Sequence, residues 1–179
     1  MRHPAPPYAG EGPHALWHVS EDASIRRFEP HVAVTSDRKE QLVWTVDTRH
    51  LPLYWFPRDC PRVCFWAAAQ TTAADAALLE GFARVHAVET GWVDRIREAQ
   101  VVAYRLPEET FVHEGDGFWV SVETVGSLEL IKLGDLVARH EEARIQLRAV
   151  PSLWPLWERV AASTLEFSGI RLRNAKPPA

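Results

Sequence analysis

The stretch ALWHVS, residues 15–20, decides which side chains of the first predicted element share a face. A short apolar run of this kind predicts a β-strand, and side chains in a strand alternate between its two faces. Leu16, His18 and Ser20 therefore share one face, and the residues between them share the other. The imidazole and the hydroxyl form either the floor of a cleft or the polar end of a strand, where a histidine commonly hydrogen-bonds a neighbour.

A second stretch, FWVSVETV at residues 118–125, repeats this alternation. We expect Trp119, Ser121 and Glu123 on one face of a strand, with the apolar side chains between them facing the core. A carboxylate, a hydroxyl and an indole ring on one face suit the wall of a cleft. The solvent face of an antiparallel sheet carries the same residue types, so that alternative stays open.

The remaining pattern predicts a domain of strands and short helices. Period-two apolar runs indicate strands at 15–20, 41–47, 62–69, 83–89, 100–107, 117–125, 127–133, 144–150 and 165–175. We expect the strands at 117–125 and 127–133 to be joined through Gly126 and Ser127. Helical patterns cover 71–82, 90–99, 134–143 and 151–164. No regular βαβ rhythm occurs, so the fold class is α+β with largely antiparallel strands, two packed sheets and short flanking helices.

Composition indicates one globular domain with an adequate core. The chain has 179 residues, of which 46% are hydrophobic and 25% charged. Residues 1–14 are rich in proline and carry no periodic pattern, so we expect a flexible arm there. The domain then spans 15–175, and 176–179 form a tail.

The net charge and the lengths of the apolar runs argue against nucleic acid and membranes as partners. The net charge of −4 gives no broad basic field, which disfavours extensive nucleic-acid binding. No apolar run reaches the roughly 18 residues that a membrane-spanning helix needs. We therefore predict a cytoplasmic protein that does not enter a membrane.

The cysteines agree with a reducing compartment. Cys60 and Cys64 lie in CPRVCFW, where Pro61 and Val63 favour extended chain. Four residues of strand span about 13 Å, which is roughly twice the Cα separation that a disulfide tolerates. Both thiols are expected to be free.

The segment LYWFPRD, residues 53–59, offers groups that suit a nucleotide. Tyr54 and Trp55 supply planar rings, and Pro57 restrains the backbone ahead of Arg58, whose forked donors match a phosphate. The same loop is equally compatible with aromatic packing on a sheet, with Arg58 paired to an acid.

Several catalytic motifs do not occur in the sequence: G-x-G-x-x-G, the Walker loop, G-x-S-x-G and H-E-x-x-H. The eight histidines show no ligand spacing. A metal site built from His18, His50 and His113 would require three distant segments to meet. We therefore expect no metal.

Residues 16–175 resemble a family of small bacterial proteins known as a domain of unknown function. The resemblance lies in the motifs LWHVSEDASIRRFEP, HLPLYWFPRDCPRV, YRLPEETF, FWVSVETV and FSGIRLRNA. It covers nearly the whole chain and implies no particular activity.

The chain also resembles the ADP-ribosyltransferase superfamily, through HVS at 18–20, LYWFPRD at 53–59 and VSVE at 120–123. Members of that superfamily bind NAD in a cleft between two antiparallel sheets. Their catalytic groups come from separate strands: a His or Arg, then an aromatic or hydroxyl residue, then a Glu. The resemblance implies that this chain uses NAD as a substrate.

The resemblance also implies a role for each matching residue. His18 and Ser20 would hydrogen-bond the ribose and nicotinamide end of NAD, and Glu123 would stabilise the oxocarbenium-like ribose left when nicotinamide departs. Tyr54 would stack on nicotinamide and Arg58 would reach the pyrophosphate. The remaining residues expected to bind the cofactor are Trp55, Trp119 and Ser121.

Two functions follow as expectations. The first is an NAD-dependent ADP-ribosyltransferase or NAD glycohydrolase, whose acceptor is protein, nucleic acid, a small molecule or water. The alternative is a non-catalytic module that binds a nucleotide-like ligand or a protein partner through the same aromatic residues.

Overall fold

The computed structural model describes residues 15–32 and 39–178. Within these residues the strands are β1 Leu16–Ser20, β2 Arg27–Phe28, β3 Val43–Asp47, β4 Arg62–Trp66, β5 Arg84–Glu89, β6 Val102–Leu106, β7 Val112–Gly115, β8 Phe118–Ser121, β9 Val125–Gly126, β10 Glu129–Lys132, β11 Gln146–Val150 and β12 Glu166–Ile170. The α-helices are α1 Ala73–Ala76, α2 Val93–Glu98, α3 Leu136–Glu142 and α4 Trp154–Ala161.

The described strands form three sheets. A six-stranded sheet has the order β10-β6-β1-β3-β8-β7, a four-stranded sheet has the order β11-β5-β4-β12, and β2 pairs with β9. The β11–β5 pair is parallel, and the other pairs between these strands are antiparallel. This mixture of short helices and mostly antiparallel strands confirms the α+β prediction.

The chain divides into two compact units, each built from separate segments. The described part of the first unit is 15–32, 39–55 and 100–133, and that of the second is 56–99 and 134–178. The predicted arm at 1–14 lies outside the described residues, as does 179.

The first unit holds the six-stranded sheet and the β2–β9 pair. Its core joins sheet residues to the side chains of that small pair, because Phe28 and Val125 pack with Leu16, Val43 and Tyr104. Tyr104 further anchors the segment after β1, since its hydroxyl donates to the Asp22 carbonyl at 2.8 Å. One face of the sheet is therefore covered by chain from the same unit.

The second unit holds the four-stranded sheet, whose two faces differ in chemistry. On one face Val63, Phe65, Val85 and Ala87 pack with apolar residues of α4 such as Val160. The opposite face carries side chains that alternate with these, and they include Arg62, Cys64, Trp66, Arg84 and His86. The alternation therefore gives β4 and β5 one apolar face and one face rich in polar groups.

Two predictions about the strand at 117–125 are wrong. β8 ends at Ser121, and Val122 is 74% exposed, although alternation predicted that it faces the core. The strands that we expected to be joined through Gly126 and Ser127 do not pair with each other. β8 pairs with β3 and β7, β10 pairs with β6, and the residues between them form β9. Pairing with distant strands took precedence over the local turn signal.

Cys60 and Cys64 are both free and buried, which confirms the thiol prediction. No helix in the described part of the chain has the length and apolar character needed to cross a bilayer.

Candidate functional site

The six-stranded sheet brings several of the predicted site residues to one face. Leu16 pairs with Asp47 across β1 and β3, and Thr45 pairs with Trp119 across β3 and β8. Because alternate residues share a face, His18, Thr45 and Trp119 lie on the same side of the sheet. The alternations predicted separately for residues 15–20 and 118–121 therefore meet on one surface of the first unit.

His18 is half-buried and bound within the sheet. Its Nδ1 lies 3.0 Å from the Trp44 carbonyl oxygen of β3. A carbonyl only accepts, so Nδ1 carries the hydrogen, and the lone pair of the neutral ring lies on Nε2. The ring also contacts Phe28, with centroids 4.8 Å apart. The hydrogen bond from Nδ1 is of the kind expected for a histidine that bonds a neighbouring strand. The nitrogen that can accept a hydrogen bond or a proton is therefore Nε2, on the other side of the ring.

β1 and β8 each end in a local turn of the same kind, in which a serine side chain bonds the backbone two residues later. Ser20 Oγ accepts a hydrogen bond from the Asp22 backbone N–H at 3.0 Å, and Ser121 Oγ accepts one from the Glu123 backbone N–H at 3.1 Å. Both strands run antiparallel to β3, which lies between them, so both end at the same edge of the sheet. Strands two positions apart are about 10 Å from each other where they pair, and β1 pairs with β3 at Leu16 and Trp17. Exposed carboxyl groups follow each serine at this edge.

The structure gives Ser121 a structural role in this turn. Its side chain is 2% exposed, and its hydroxyl donates to Thr110 Oγ1 at 2.9 Å while accepting from the Glu123 backbone. Glu123 itself lies beyond β8 in an exposed bend rather than inside a strand. The buried hydroxyl thus fixes the backbone that presents an exposed carboxylate.

Trp119 is half-buried, and its ring meets an imidazole from the edge strand. The centroids of Trp119 and His113 are 5.0 Å apart. Thr45 donates from Oγ1 to the Trp119 carbonyl at 3.1 Å, which ties β8 to β3 beneath these rings. The two rings are tilted by 47° to each other, and Trp119 packs against the core of Leu16 and Phe28 on the same face as His18.

The aromatic loop does not join this group. Tyr54 meets Phe118 edge to face at 6.4 Å, and Phe118 in turn meets Trp44 at 6.0 Å. Phe118 alternates with Trp119 along β8, so Tyr54 lies against the opposite face of the sheet from His18. Strand alternation, which sequence reasoning applied within each segment, separates these residues in space.

The two other residues of the loop also differ from expectation. Trp55 is 0% exposed, so its ring belongs to the interior and offers no face to a ligand. Arg58 is exposed and belongs to the second unit. The prolines and aromatic residues of this loop could not show, from the sequence alone, whether an aromatic ring is buried in the core or exposed to a ligand.

Sequence reasoning missed a buried histidine pair in the second unit. His86 Nδ1 lies 3.0 Å from His140 Nε2, and His140 Nδ1 lies 2.6 Å from the Leu136 carbonyl oxygen. The carbonyl requires a hydrogen on His140 Nδ1, so His140 Nε2 accepts from His86 Nδ1–H. Both rings are then neutral. Among the described residues, His86 Nε2 has no hydrogen-bond partner.

The surroundings explain why these rings stay neutral. Burial lowers the pKa of His86 well below 6.5, and the neighbouring His140, Arg84 and Arg62 lower it further. Burial likewise lowers the pKa of His140 to about 4, although the hydrogen bond to the Leu136 carbonyl opposes this change. Phe56 contacts both imidazoles, with centroids 5.7 and 5.0 Å away. The only sequence signal was His86 inside an apolar strand, and its partner lies 54 residues away.

The two thiols lie in the same unit as the histidine pair. Cys64 is the strand partner of His86, and burial raises the pKa of Cys60 and of Cys64 to about 12. Within the described residues, no three His, Cys, Asp or Glu side chains are grouped as around a metal ion. The shifted pKa values keep the buried thiols and imidazoles neutral near pH 7.

Comparison with known proteins gives one identification. Searches of curated proteins and of solved structures gave no match. A family model matches residues 17–175, which is most of the chain. The chain therefore belongs to the family described as a family of unknown function (DUF6886).

Proposed function

We propose that this chain is an NAD-dependent ADP-ribosyltransferase or NAD glycohydrolase whose reacting groups lie on the first unit. The observation that carries the proposal is the common direction of β1 and β8 on either side of β3: the half-buried imidazole of His18 lies two residues before the end of β1, and the exposed carboxylate of Glu123 lies two residues after the end of β8. The faint resemblance of HVS and VSVE to the superfamily agrees with this placement.

The chemistry requires few groups. When the bond between nicotinamide and the ribose C1′ breaks, nicotinamide leaves neutral and the ribose becomes oxocarbenium-like. A carboxylate beside C1′ stabilises that charge, which is the role of Glu123. The acceptor then attacks C1′ and loses a proton. His18 and Ser20 hydrogen-bond the ribose and hold C1′ near the carboxylate.

The remaining predicted residues take unequal parts in this proposal. Trp119 supplies the stacking surface, since its ring lies on the face of His18. Ser121 acts as a positioning residue, because its hydroxyl holds the backbone of Glu123 at 3.1 Å. Tyr54 and Trp55 take no part. Arg58 belongs to the second unit and takes no part in a site on the first unit.

The decisive experiment measures nicotinamide release by the wild type and by Glu123→Gln. The amide keeps size and most hydrogen bonding but removes the charge, so we expect turnover to fall by about two to three orders of magnitude with little change in NAD affinity.

Glu129→Gln is the matched control. Glu129 is an exposed glutamate of the same sheet, and its partner Arg105 also pairs with Trp17, so it lies on the opposite face from His18. Its removal should leave turnover unchanged. Absence of nicotinamide release by the wild type, or full activity in a folded Glu123→Gln variant, would refute the proposal.

The alternative is a non-catalytic module that binds a nucleotide-like ligand or a protein partner. The observation in its favour is the aromatic cluster of Tyr54, Trp44 and Phe118 on the other face, in which Tyr54 stays half-buried. NAD binding without turnover, weakened by about 1–3 kcal/mol in Tyr54→Ala, supports this alternative. The transferase proposal expects Tyr54→Ala to leave NAD affinity unchanged.

A further inference from the structure

The second unit contains a groove that the proposed function does not use. Its volume is about 800 Å³, and it lies between β11, the helices α2 and α3, and the residues before β5. Val93 and Arg97 line it from α2, and Val137 and Glu141 line it from α3. Each pair is spaced four residues apart, so each helix presents one continuous side to the groove.

The strand that lines this groove is the edge of its sheet. Within the described residues β11 pairs with β5 alone. Every second residue of an edge strand directs its backbone N–H and C=O away from its neighbour, ready to pair with another chain. The five residues of β11 span about 17 Å and can pair with an extended segment of similar length.

The side chains of the groove suit the alternating residues of such a segment. Leu147 and Ala149 lie on one face of β11, and both line the groove beside Ile145. Phe82 adds an aromatic ring that is 43% exposed. An added strand would therefore bury an apolar side chain at every second position.

Two arginines at the groove favour a segment that carries negative charge. Arg97 and Arg144 line the groove with a single acid, Glu141. Arg97 also bonds Asp94 at 3.3 Å, but both side chains are highly exposed, so this pair contributes little and can be exchanged.

Arg144 occupies a backbone position that favours glycine. Its φ is +54°, just after α3, where glycine ends a helix without strain. A guanidinium is thus held at the groove in spite of a backbone cost.

We propose that this groove binds an extended segment of a partner protein that carries acidic residues and adds to β11 as a further strand. Backbone pairing with β11 supplies the affinity, and the arginines select acidic over basic segments. This proposal is independent of the proposed function, because all of its residues lie in the second unit.

Fluorescence anisotropy with a labelled seven-residue probe tests the proposal. The probe has glutamate at its first and seventh positions, valine at its third and fifth and threonine at the even positions, so that the acidic and apolar side chains share one face. One comparison peptide has lysine in place of both glutamates, and another is the acidic probe N-methylated on alternate amides so that it cannot pair as a strand. We expect the acidic probe to bind at least about tenfold more tightly than either. Hydrogen exchange at 146–150 should slow when it binds.

Arg144→Gly separates charge from folding. Glycine relieves the positive φ, so the variant should fold at least as well as the wild type while binding the acidic probe about tenfold more weakly. Arg171→Gly is the matched control, since Arg171 has φ +56° in the same unit but does not line the groove.

Three results would overturn the proposal: equal affinity for the lysine and glutamate peptides, equal affinity for the N-methylated probe, or no binding of the acidic probe at millimolar concentration. Equal weakening in Arg144→Gly and Arg171→Gly would also overturn it.

Discussion

β1 and β5 each carry a histidine near the middle of the strand, but the two imidazoles have opposite surroundings. His18 is half-buried on an inner strand of its sheet, with Nδ1 bonded to the Trp44 carbonyl and its ring against Phe28. His86 is 0% exposed and bonds a second imidazole, that of His140. A half-buried polar group can exchange its partner for water or a ligand, whereas a fully buried one must stay neutral or be desolvated as an ion.

The largest expected effect concerns the reactivity of the two thiols in the buried region. The pKa of Cys60 and of Cys64 is raised from 9.0 to about 12, so at equal pH the folded chain holds about a thousandfold less thiolate than the unfolded chain. We expect a disulfide reagent to modify neither thiol rapidly in native buffer and to count two thiols at once in denaturant. Rapid modification of the native protein would show that the polar side of β4 and β5 is open to solvent.

Acid should destabilise the buried region next. The folded-state pKa of His140 is about 4 and that of His86 lies well below 6.5, so below pH 6.5 the unfolded chain binds protons that the folded chain does not. Stability contributed by the neutral pair is complete above about pH 7 and is lost as the pH falls from 6.5 toward 4. His140 alone should lower the free energy of unfolding by about 3 kcal/mol over that range.

Urea denaturation across that pH range measures the effect. The double variant His86→Leu, His140→Leu should have a flatter pH dependence, whereas replacing the exposed His31 with Gln should leave the wild-type curve intact. An unchanged slope in the double variant would mean that other groups bind the protons.

The smallest expected effect is that of replacing the half-buried His18. His18→Ala removes one hydrogen bond and a half-buried ring contact, so we expect a loss of about 1 kcal/mol in the free energy of unfolding. Thermal or urea denaturation at pH 7.5 measures it beside His86→Ala. A loss at His18 that equals or exceeds the loss at His86 would remove the distinction between the two regions.

Much of this molecule could be predicted from local pattern. β1 and β11 form within the predicted segments, and α1 lies inside the helical pattern at 71–82, where the Thr72 side chain caps it by accepting from the Asp75 backbone N–H at 3.2 Å. Such features depend on residues within a few positions of each other, where alternation and capping act directly.

Contacts between residues far apart in the sequence could not be predicted from local pattern. The sequence places Tyr54 and His18 equally well on one cleft or on two faces, and nothing local reports that Phe118 lies between Tyr54 and the rest of the site. The histidine pair shows the same limit, since His86 and His140 belong to a strand and a helix that were both predicted.

The amino-acid sequence by itself therefore determined the fold class, the strand character of the two polar stretches and the free state of both cysteines. The tertiary structure decided that β1 and β8 end at one sheet edge, that Tyr54 lies on the other face and that two imidazoles meet in a buried region. The physical reason is that side-chain alternation is a property of a single strand. Which strands become neighbours depends instead on the apolar area that distant segments bury together.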